Sequence, residues 1–523
     1  MIKNLDLDSQ FIAVLNKLET SESHIFLTGN AGTGKSTLLE YWRDHTKQNI
    51  AVLAPTGVAA LNVKGQTIHS FFGFRPDITV QKIQRFYRNR GKKGLFKKID
   101  TIVIDEISMV RADLLDCIDT FLRLHGKNHN LPFGGVKMIF IGDLHQLPPI
   151  VMDSEKEIFS NFYKTPYFFS ANVFDGLDFE FIELKKIYRQ TDREFIEILD
   201  SIRNNNINND QLTLLNSRVD EQFETPSNKF FITLTTTNKK TQIINEYHLG
   251  KIFNERFIYE GQGSGKFDVK TLPTIGKLEI KPGAQIMMVA NDREGRWVNG
   301  SLGKIIKIET NKKGGADLII VELEDGQEVV VTPYTWEMFR VEYNPATDKL
   351  NTESVGSYKQ YPLTLAWAIT IHKSQGKTFD NVIIDFGWGT FAHGQAYVAL
   401  SRCTNLKGIV LAKPFEKAHI ITDEQVKKFL STFKYLADPG SNSSVDLETK
   451  NEALIEIINK AINNKNLLKF IDGNNALRTV SPEVILIGKT NNKQLKAHCF
   501  TTNKIEIFDL SEISNLKELS GVS

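Results

Sequence analysis

The first 150 residues alternate short apolar runs with polar, helix-compatible stretches. The runs Ser23–Thr28, Ile50–Ala54, Thr101–Ile104 and Lys137–Ile141 are each followed by Gly, Pro or Asp. Short β-branched runs spaced in this way predict parallel strands with crossover helices, a sheet buried on both faces. Phe230–Thr237, Val382–Phe386 and Gly408–Leu411 predict strands of a second such sheet. Between them, Gly303–Thr332 has a different texture, with three β-rich runs separated by a Gly-Gly loop and by Asp325-Gly326. Asp-Gly between alternating hydrophobics is a strong hairpin signal, so this stretch predicts an antiparallel meander, a small β-barrel inserted in the second unit. Ala437–Ser444 is rich in helix breakers and predicts a linker, followed by enough chain for one small domain.

Composition narrows the class. At roughly 100–200 residues per domain, 523 residues make about three to five domains. Hydrophobic residues at 41% and charged residues at 24% exclude a disordered or fibrous chain. Cys117, Cys403 and Cys499 lie too far apart for a disulfide framework or a zinc ribbon, which fits a reducing compartment. The N-terminus has no apolar stretch behind Lys3, and no run approaches the ~18 apolar residues of a membrane span. The expectation is a cytoplasmic protein with no membrane partner. The sum of 64 basic against 62 acidic residues says nothing about where the charges sit.

Chemistry enters at Gly29-Asn30-Ala31-Gly32-Thr33-Gly34-Lys35-Ser36, which matches G-x-x-x-x-G-K-[ST] between a predicted strand and a predicted helix. Such a loop wraps backbone N–H groups around phosphates at a helix N-terminus. Gly29, Ala31, Gly32, Thr33, Gly34, Lys35, Ser36 and Thr37 are the candidate ATP-binding residues. Lys35 would reach the β- and γ-phosphates, and Ser36 would ligate Mg²⁺. The strand Thr101–Ile104 ends in Asp105-Glu106, one carboxylate to hold Mg²⁺ and the next to orient or deprotonate a water. A further strand leads into Gly142–Pro149, where Gln146 would face a γ-phosphate or its attacking water.

Three other segments stand out: Ala54–Phe72, Thr370–Thr378 and Gly394–Cys403. With the nucleotide motifs they match the ordered motifs of superfamily 1 helicases. More closely, APTGVAALNVKGQTIHSFF, DEISMV, PFGG at Pro132–Gly135, GDLHQLPPI, YRQTDREFIEIL, TIHKSQGKTFD and GQAYVALSRC resemble the petite-integration-frequency (Pif) and RecD-like group of 5′-to-3′ DNA helicases. The resemblance covers about residues 5–435.

It implies an α/β fold of two RecA-like P-loop domains. Domain 1A would span 1–170 with a small 1B insertion at about 74–98, and domain 2A would span 171–296 and 356–436. A Src-homology-3-like 2B insertion would fill 297–355, followed by a linker at 437–448 and a C-terminal β-rich domain at 449–523. The resemblance further implies Gln10 for adenine recognition, Gly376 at the nucleotide, and Arg189 and Arg402 as arginine fingers. Single-stranded DNA would run over Pro55, Thr56, His69, Phe71 and Phe72 in the first domain, and over Thr236, Asn238, Thr370, His372, Lys373 and Ser374 in the second. Hydroxyls and lysines suit phosphates, and aromatic faces stack on any base. Residues 85–98 carry seven Arg/Lys and no acid, so Arg85, Arg88, Lys92 and Lys93 are DNA candidates where the family places 1B.

The last 75 residues resemble a WYL domain, although its name-giving triplet reads Lys493-Gln494-Leu495 and two usual arginines are Glu506 and Glu512. They imply an accessory that binds DNA or a protein partner, with a plain packing domain as the alternative. The reading is an Mg²⁺/ATP-dependent, monomeric helicase acting on single-stranded DNA and single-strand/duplex junctions. Two rivals stand beside it: an RNA or mixed-specificity superfamily 1 helicase, since these residues do not address the 2′-hydroxyl, and an ATP-regulated single-strand clamp that does not unwind.

Overall fold

The β-branched runs become strands. The computed structural model describes residues 8–523 apart from 76, 88–93, 176, 191, 227–228, 266–273, 275, 293, 312–314, 345–348, 438–453, 456, 473–475, 488–492, 501, 503 and 520–523. β1 (His24–Gly29), β2 (Ile50–Ala54), β3 (Gln66–Thr67), β4 (Thr101–Ile104), β5 (Lys137–Ile141) and β6 (Phe179–Leu184) form one parallel sheet in the order β3-β2-β4-β5-β1-β6. Alternation along β1 serves two covered faces. Ile25 and Leu27 pack with Phe11 and Leu18 of the helix Ser9–Thr20 and with Leu38 and Trp42 of the helix Lys35–His45. Phe26 points the other way, edge-on to Phe168 and Phe181.

β6 corrects the expected domain boundary. It pairs with β1 over six residues, His24↔Phe179 through Gly29↔Leu184, so the first lobe extends past residue 170 to Leu184. The run FEFIEL is not marked as a buried strand by its sequence, because its four apolar positions are interrupted by Glu180 and Glu183 and only Ile182 and Leu184 are fully buried, as in an edge strand.

β7 (Ile232–Thr235) opens the second parallel sheet. Ten strands intervene before the chain returns to it. β8 (Phe257–Glu260) pairs with β10 (Lys277–Ile280), and β9 (Gln262–Gly265) pairs with the long hairpin of β15 (Tyr334–Asn344) and β16 (Lys349–Gln360). β11 (Gln285–Met288), β12 (Leu302–Glu309), β13 (Leu318–Leu323), β14 (Glu328–Val331) and β17 (Leu363–Leu365) make an antiparallel sheet in the order β14-β13-β12-β11-β17. The meander and its Asp325-Gly326 turn are as expected, with Gly326 at φ 83°. The insertion is longer than 297–355, because β11 and β17 pair at Ile286↔Leu365 and draw the flanking strands into the same sheet and core.

β18 (Ala368–Thr370), β19 (Val382–Asp385) and β20 (Ile409–Leu411) complete the second parallel sheet, in the order β18-β7-β19-β20. A separate compact unit contains residues 174–177 and 423–523. In it, β21 (Leu467–Ile471), β22 (Leu477–Ile487), β23 (Lys493–Cys499), β24 (Lys504–Asp509) and β25 (Ser514–Leu519) form an antiparallel sheet over Leu468, Phe470, Leu495 and Phe508. The helix Glu424–Ala437 precedes it, and the linker expected at 437–448 lies, after Ala437, outside the described residues. Cys117, Cys403 and Cys499 are buried, and none of them is in a disulfide. Among the described residues no helix is long and apolar enough to cross a membrane.

The PFGG motif is a packing device. Phe133, Gly134 and Gly135 all have left-handed backbones, and a Cβ on Gly134 would lie 2.1 Å from the Leu122 carbonyl oxygen. This tight turn buries the Phe133 ring edge-on against His24, whose Nδ1 accepts the Met138 N–H at 2.9 Å. Burial, with Lys137 nearby and only partly opposed by Asp178, pushes His24 down to about 4. The unfolded chain therefore takes up a proton near pH 6.5 that the folded chain refuses. Stability supplied by neutral His24 is complete above pH 6.5 and is lost as pH falls toward 4. His24→Asn keeps an acceptor but does not titrate. Urea unfolding at pH 7 and pH 4.5 should show wild type losing about 2 kcal/mol more than the variant over that interval.

Candidate nucleotide site and nucleic-acid interface

Ligand sites in open parallel sheets form at the carboxyl ends of strands, and the first sheet divides that edge in two. β1, β4 and β5 deliver the nucleotide residues, while β2 and β3 deliver Pro55, Thr56 and His69. After β1, Gly29, Gly32 and Gly34 take φ of 150°, 84° and 82°, and the helix Lys35–His45 starts directly behind them. Lys35 Nζ donates to the Gly29 and Asn30 carbonyls at 2.8 and 3.0 Å. Burial lowers its ammonium pKa, and Asp143, Glu106 and Asp105 work against that shift. Thr33 is buried and bonds the Asn30 carbonyl, whereas Ser36 and Thr37 are exposed.

At the end of β4, Glu106 has φ 52° and ψ 44°. A left-handed glutamate costs on the order of 1–3 kcal/mol, a strain typical of functional sites. Burial and its neighbour Glu106 push Asp105 up to about 7, and burial raises Glu106 as well. Beyond β5, Asp143 accepts from the His145 N–H at 3.1 Å and pairs with buried Arg203 at 3.5 Å, which helps hold its carboxyl below the usual range despite burial.

The second lobe reaches directly into this edge. Gln375 Nε2 donates to Glu106 Oε2 at 2.9 Å and to Gln146 Oε1 at 3.2 Å, bridging the expected base and the expected γ-phosphate sensor. Tyr397 Oη accepts the Ala31 N–H at 2.9 Å, and Asn30 Nδ2 donates to Asp200 at 2.7 Å. The Tyr188 N–H donates to the Gly32 carbonyl at 2.9 Å, and a Cβ on Gly32 would lie 2.5 Å from Arg189 Cβ. Arg189 donates to the Ser401 carbonyl at 3.2 Å. Arg402, 1% exposed, donates to the Val398 and Lys377 carbonyls and to Ser401 Oγ. Burial, then repulsion from Arg189, brings Arg402 down to about 9. Arg189 thus meets the P-loop at Gly32, and the charge of Arg402 reaches Glu106, although Arg189 sits on the crossover between lobes, four residues before the helix Arg193–Arg203 begins.

Gln10 uses both ends of its amide on the backbone of Glu183 and Lys185. Rings at the same edge were missed: Phe11 and Tyr188 both lie 3.7 Å from a Cβ built on Gly34. Tyr188 opens the YRQTDREFIEIL motif and Phe11 follows Gln10, but nothing in either segment shows that its ring meets the loop.

The DNA candidates separate by exposure. Arg85, Asn238 and Lys373 are exposed, and Pro55, Thr56, His69, Thr236 and His372 are half-buried. Gly376 is exposed. Phe71 and Phe72, at 6% and 4% exposure, are core residues packed against Phe96, which corrects the expectation that they offer stacking faces. Thr370 and Ser374 are buried too, their hydroxyls bonded to Lys373 N and the Ile371 carbonyl, so they shape the loop rather than meet phosphate. Arg88, Lys92 and Lys93 lie outside the described residues.

A P-loop in one parallel-sheet lobe, with arginines and a glutamine of the next lobe at its edge, defines the class of two-lobed P-loop motor proteins. The family profile of PIF1-like helicases matches residues 7–245. The ATP-dependent DNA helicase Pif1 of Bdellovibrio bacteriovorus is 31% identical over 447 residues, covering 83% of this chain and 94% of its own. The structure of Bacteroides sp. Pif1 in complex with ADP-AlF4 superposes with a TM-score of 0.75 at 38% identity, over 82% of this chain and 98% of that one. Bacteroides Pif1 bound to single-stranded DNA gives a TM-score of 0.60 at 37% identity, over 82% and 98%. The chain belongs to the PIF1-like helicase family.

Gln375 joins the two groups expected to act on one water. Gln375→Ala should lower the kcat of ATP hydrolysis by at least about tenfold with little change in KM, measured by steady-state phosphate release.

Proposed function

We propose that the chain is an ATP-dependent DNA helicase that moves 5′ to 3′ along single-stranded DNA and separates strands at single-strand/duplex junctions, as a cytoplasmic monomer. The reading rests above all on one juxtaposition: Arg189 and Arg402 beside the P-loop, with Gln375 bridging Glu106 and Gln146. Related proteins are named ATP-dependent DNA helicases, and a relative has been captured with single-stranded DNA.

Two buried guanidiniums that repel one another favour the arrival of negative charge. Lys35, Arg189 and Arg402 would therefore stabilise the charge on a transferring phosphoryl group, a fork of donors complete only while the lobes are together. Glu106 would take the proton of a water oriented by Gln146, with Gln375 aligning both. The donor set suits Mg²⁺. Ser36 and Asp105 are hard oxygen donors, and among the described residues no cluster of three or more His, Cys, Asp or Glu could cage a metal alone. That pattern fits a cation held by one or two protein ligands and substrate phosphates, where it would neutralise phosphate charge. Arg85, Asn238, His372 and Lys373 would meet the DNA backbone, the β8–β17 insertion would serve as 2B, and 74–98 as 1B. The C-terminal sheet would be a WYL-like accessory, a reading that rests on its resemblance in sequence, including the retained Arg478.

ATPase assays with and without single-stranded DNA, then unwinding of 5′-tailed against 3′-tailed duplexes, test the reading. Preference for the 3′ tail would refute the polarity, and stimulation without strand separation would favour the clamp. Lys35→Ala should abolish hydrolysis. Arg402→Ala should stop turnover by about 10³-fold while sparing nucleotide affinity; lost affinity with retained turnover would remove it from the finger role. Deleting residues 445–523 should leave ATPase intact.

A further inference from the structure

Lys377 follows the Gly376 turn and is 9% exposed. Its ammonium donates to Asn299 Oδ1, a neutral amide oxygen and not a carboxylate. Burial alone pushes it down to about 8. Placing an ammonium here is costly, and a methionine would fill similar space without that cost.

The bonds around it form a path between two sites. Asn299 lies in the turn before β12 and donates through Nδ2 to Asn62 Oδ1 at 3.0 Å. Asn62 ends the short helix Gly57–Asn62, whose N-cap is Thr56: the Thr56 hydroxyl accepts from the Ala59 N–H at 3.2 Å. At the other end, the carbonyl of Lys377 accepts from Arg402 Nη1 at 3.3 Å. Four elements meet in sequence: a first-lobe helix, the β-rich insertion, the loop after β18, and the arginine beside the P-loop.

We propose that Asn62, Asn299 and Lys377 form a positioning relay that transmits the docking of single-stranded DNA at Thr56 to the guanidinium of Arg402. It rests on the DNA-helicase reading and states how DNA controls that site. A six-residue helix moves as a rigid piece, so a shift at its capped end displaces Asn62. The Asn299 amide is planar and engaged at both ends, donating to one residue and accepting from the other, so it carries the displacement to Lys377. The Lys377 carbonyl then carries it to Arg402. Each link pairs a single donor with a single acceptor, which makes the path breakable one bond at a time.

The test uses the full chain, ATP and an oligothymidylate, with steady-state ATPase measured with and without the oligonucleotide. Lys377→Met and Asn62→Ala should each lower the DNA-stimulated kcat about tenfold while KM for ATP stays within about twofold. Asn299→Asp keeps an acceptor for Lys377 but cannot donate to Asn62, and should fall with them. Asn62→Asp keeps the acceptor for Asn299 and should retain stimulation. The double variant Lys377→Met/Asn62→Ala should be no worse than either single, because one path is cut twice. Full stimulation in Lys377→Met and Asn62→Ala, or losses that simply add in the double variant, would overturn the relay. A parallel fall of basal kcat, KM and thermal midpoint would overturn it too, leaving only a structural role. A wild type that neither binds nor responds to the oligonucleotide would instead refute the DNA-helicase reading itself.

Discussion

The approach of the interlobe segment to backbone contact at Gly32 is the constraint on which the site depends. The Gly32 carbonyl accepts the Tyr188 N–H, and Arg189 stands where any side chain on Gly32 would have to be. Glycine is required there for its left-handed φ and for the missing Cβ together. From that contact follow the other crossings, Asn30 to Asp200, Ala31 to Tyr397 and Glu106 to Gln375. A loop that would cradle phosphate is therefore already closed over by the groups that would act on it. Coupling hydrolysis to lobe movement needs such an arrangement, because a site assembled from two bodies is complete only when they meet.

Charge at this meeting point is arranged by desolvation as much as by pairing. Asp143 has buried Arg203 as its ion-pair partner and stays ionised, while Asp105 and Glu106 share one strand end and are pushed toward neutrality. On the other side, Arg189 and Arg402 crowd each other, and among the described residues their hydrogen-bond partners are carbonyl and hydroxyl oxygens. A buried excess of either sign is held at a cost that a ligand of opposite charge relieves. The near-zero net charge of the chain conceals this local separation, as it conceals the exposed Lys373 and Arg85 on the lobes.

Motifs were legible where chemistry imposes a residue type at a fixed spacing. The P-loop, Asp105-Glu106 and the strands that carry them were readable because a parallel strand buried on both faces leaves an uninterrupted apolar run. β6 was not readable in this way, since an edge strand alternates weakly and its partner lies 155 residues away, the separation of His24 and Phe179. The insertion was recognised by its Asp-Gly hairpin yet drawn too short, because β11 and β17 are joined only across the sheet. Phe71 and Phe72 have the composition of a stacking surface and the environment of a core. Aromatic side chains suit both settings, and only packing distinguishes them.

By itself the sequence determined the class of each half, the nucleotide loop, the paired carboxylates and the family, since all of these are local patterns or ordered sets of them. The tertiary structure decided which side chains share one electrostatic environment. Gln375 lies 269 residues from Glu106, and their bond exists because two parallel sheets bring their strand ends together. Lys377, Asn299 and Asn62 have no common motif, and their hydrogen bonds join three separate elements. Desolvation, which sets the protonation of Asp105 and the cost of burying Arg402, depends on everything packed around a group. No window along the chain contains that information.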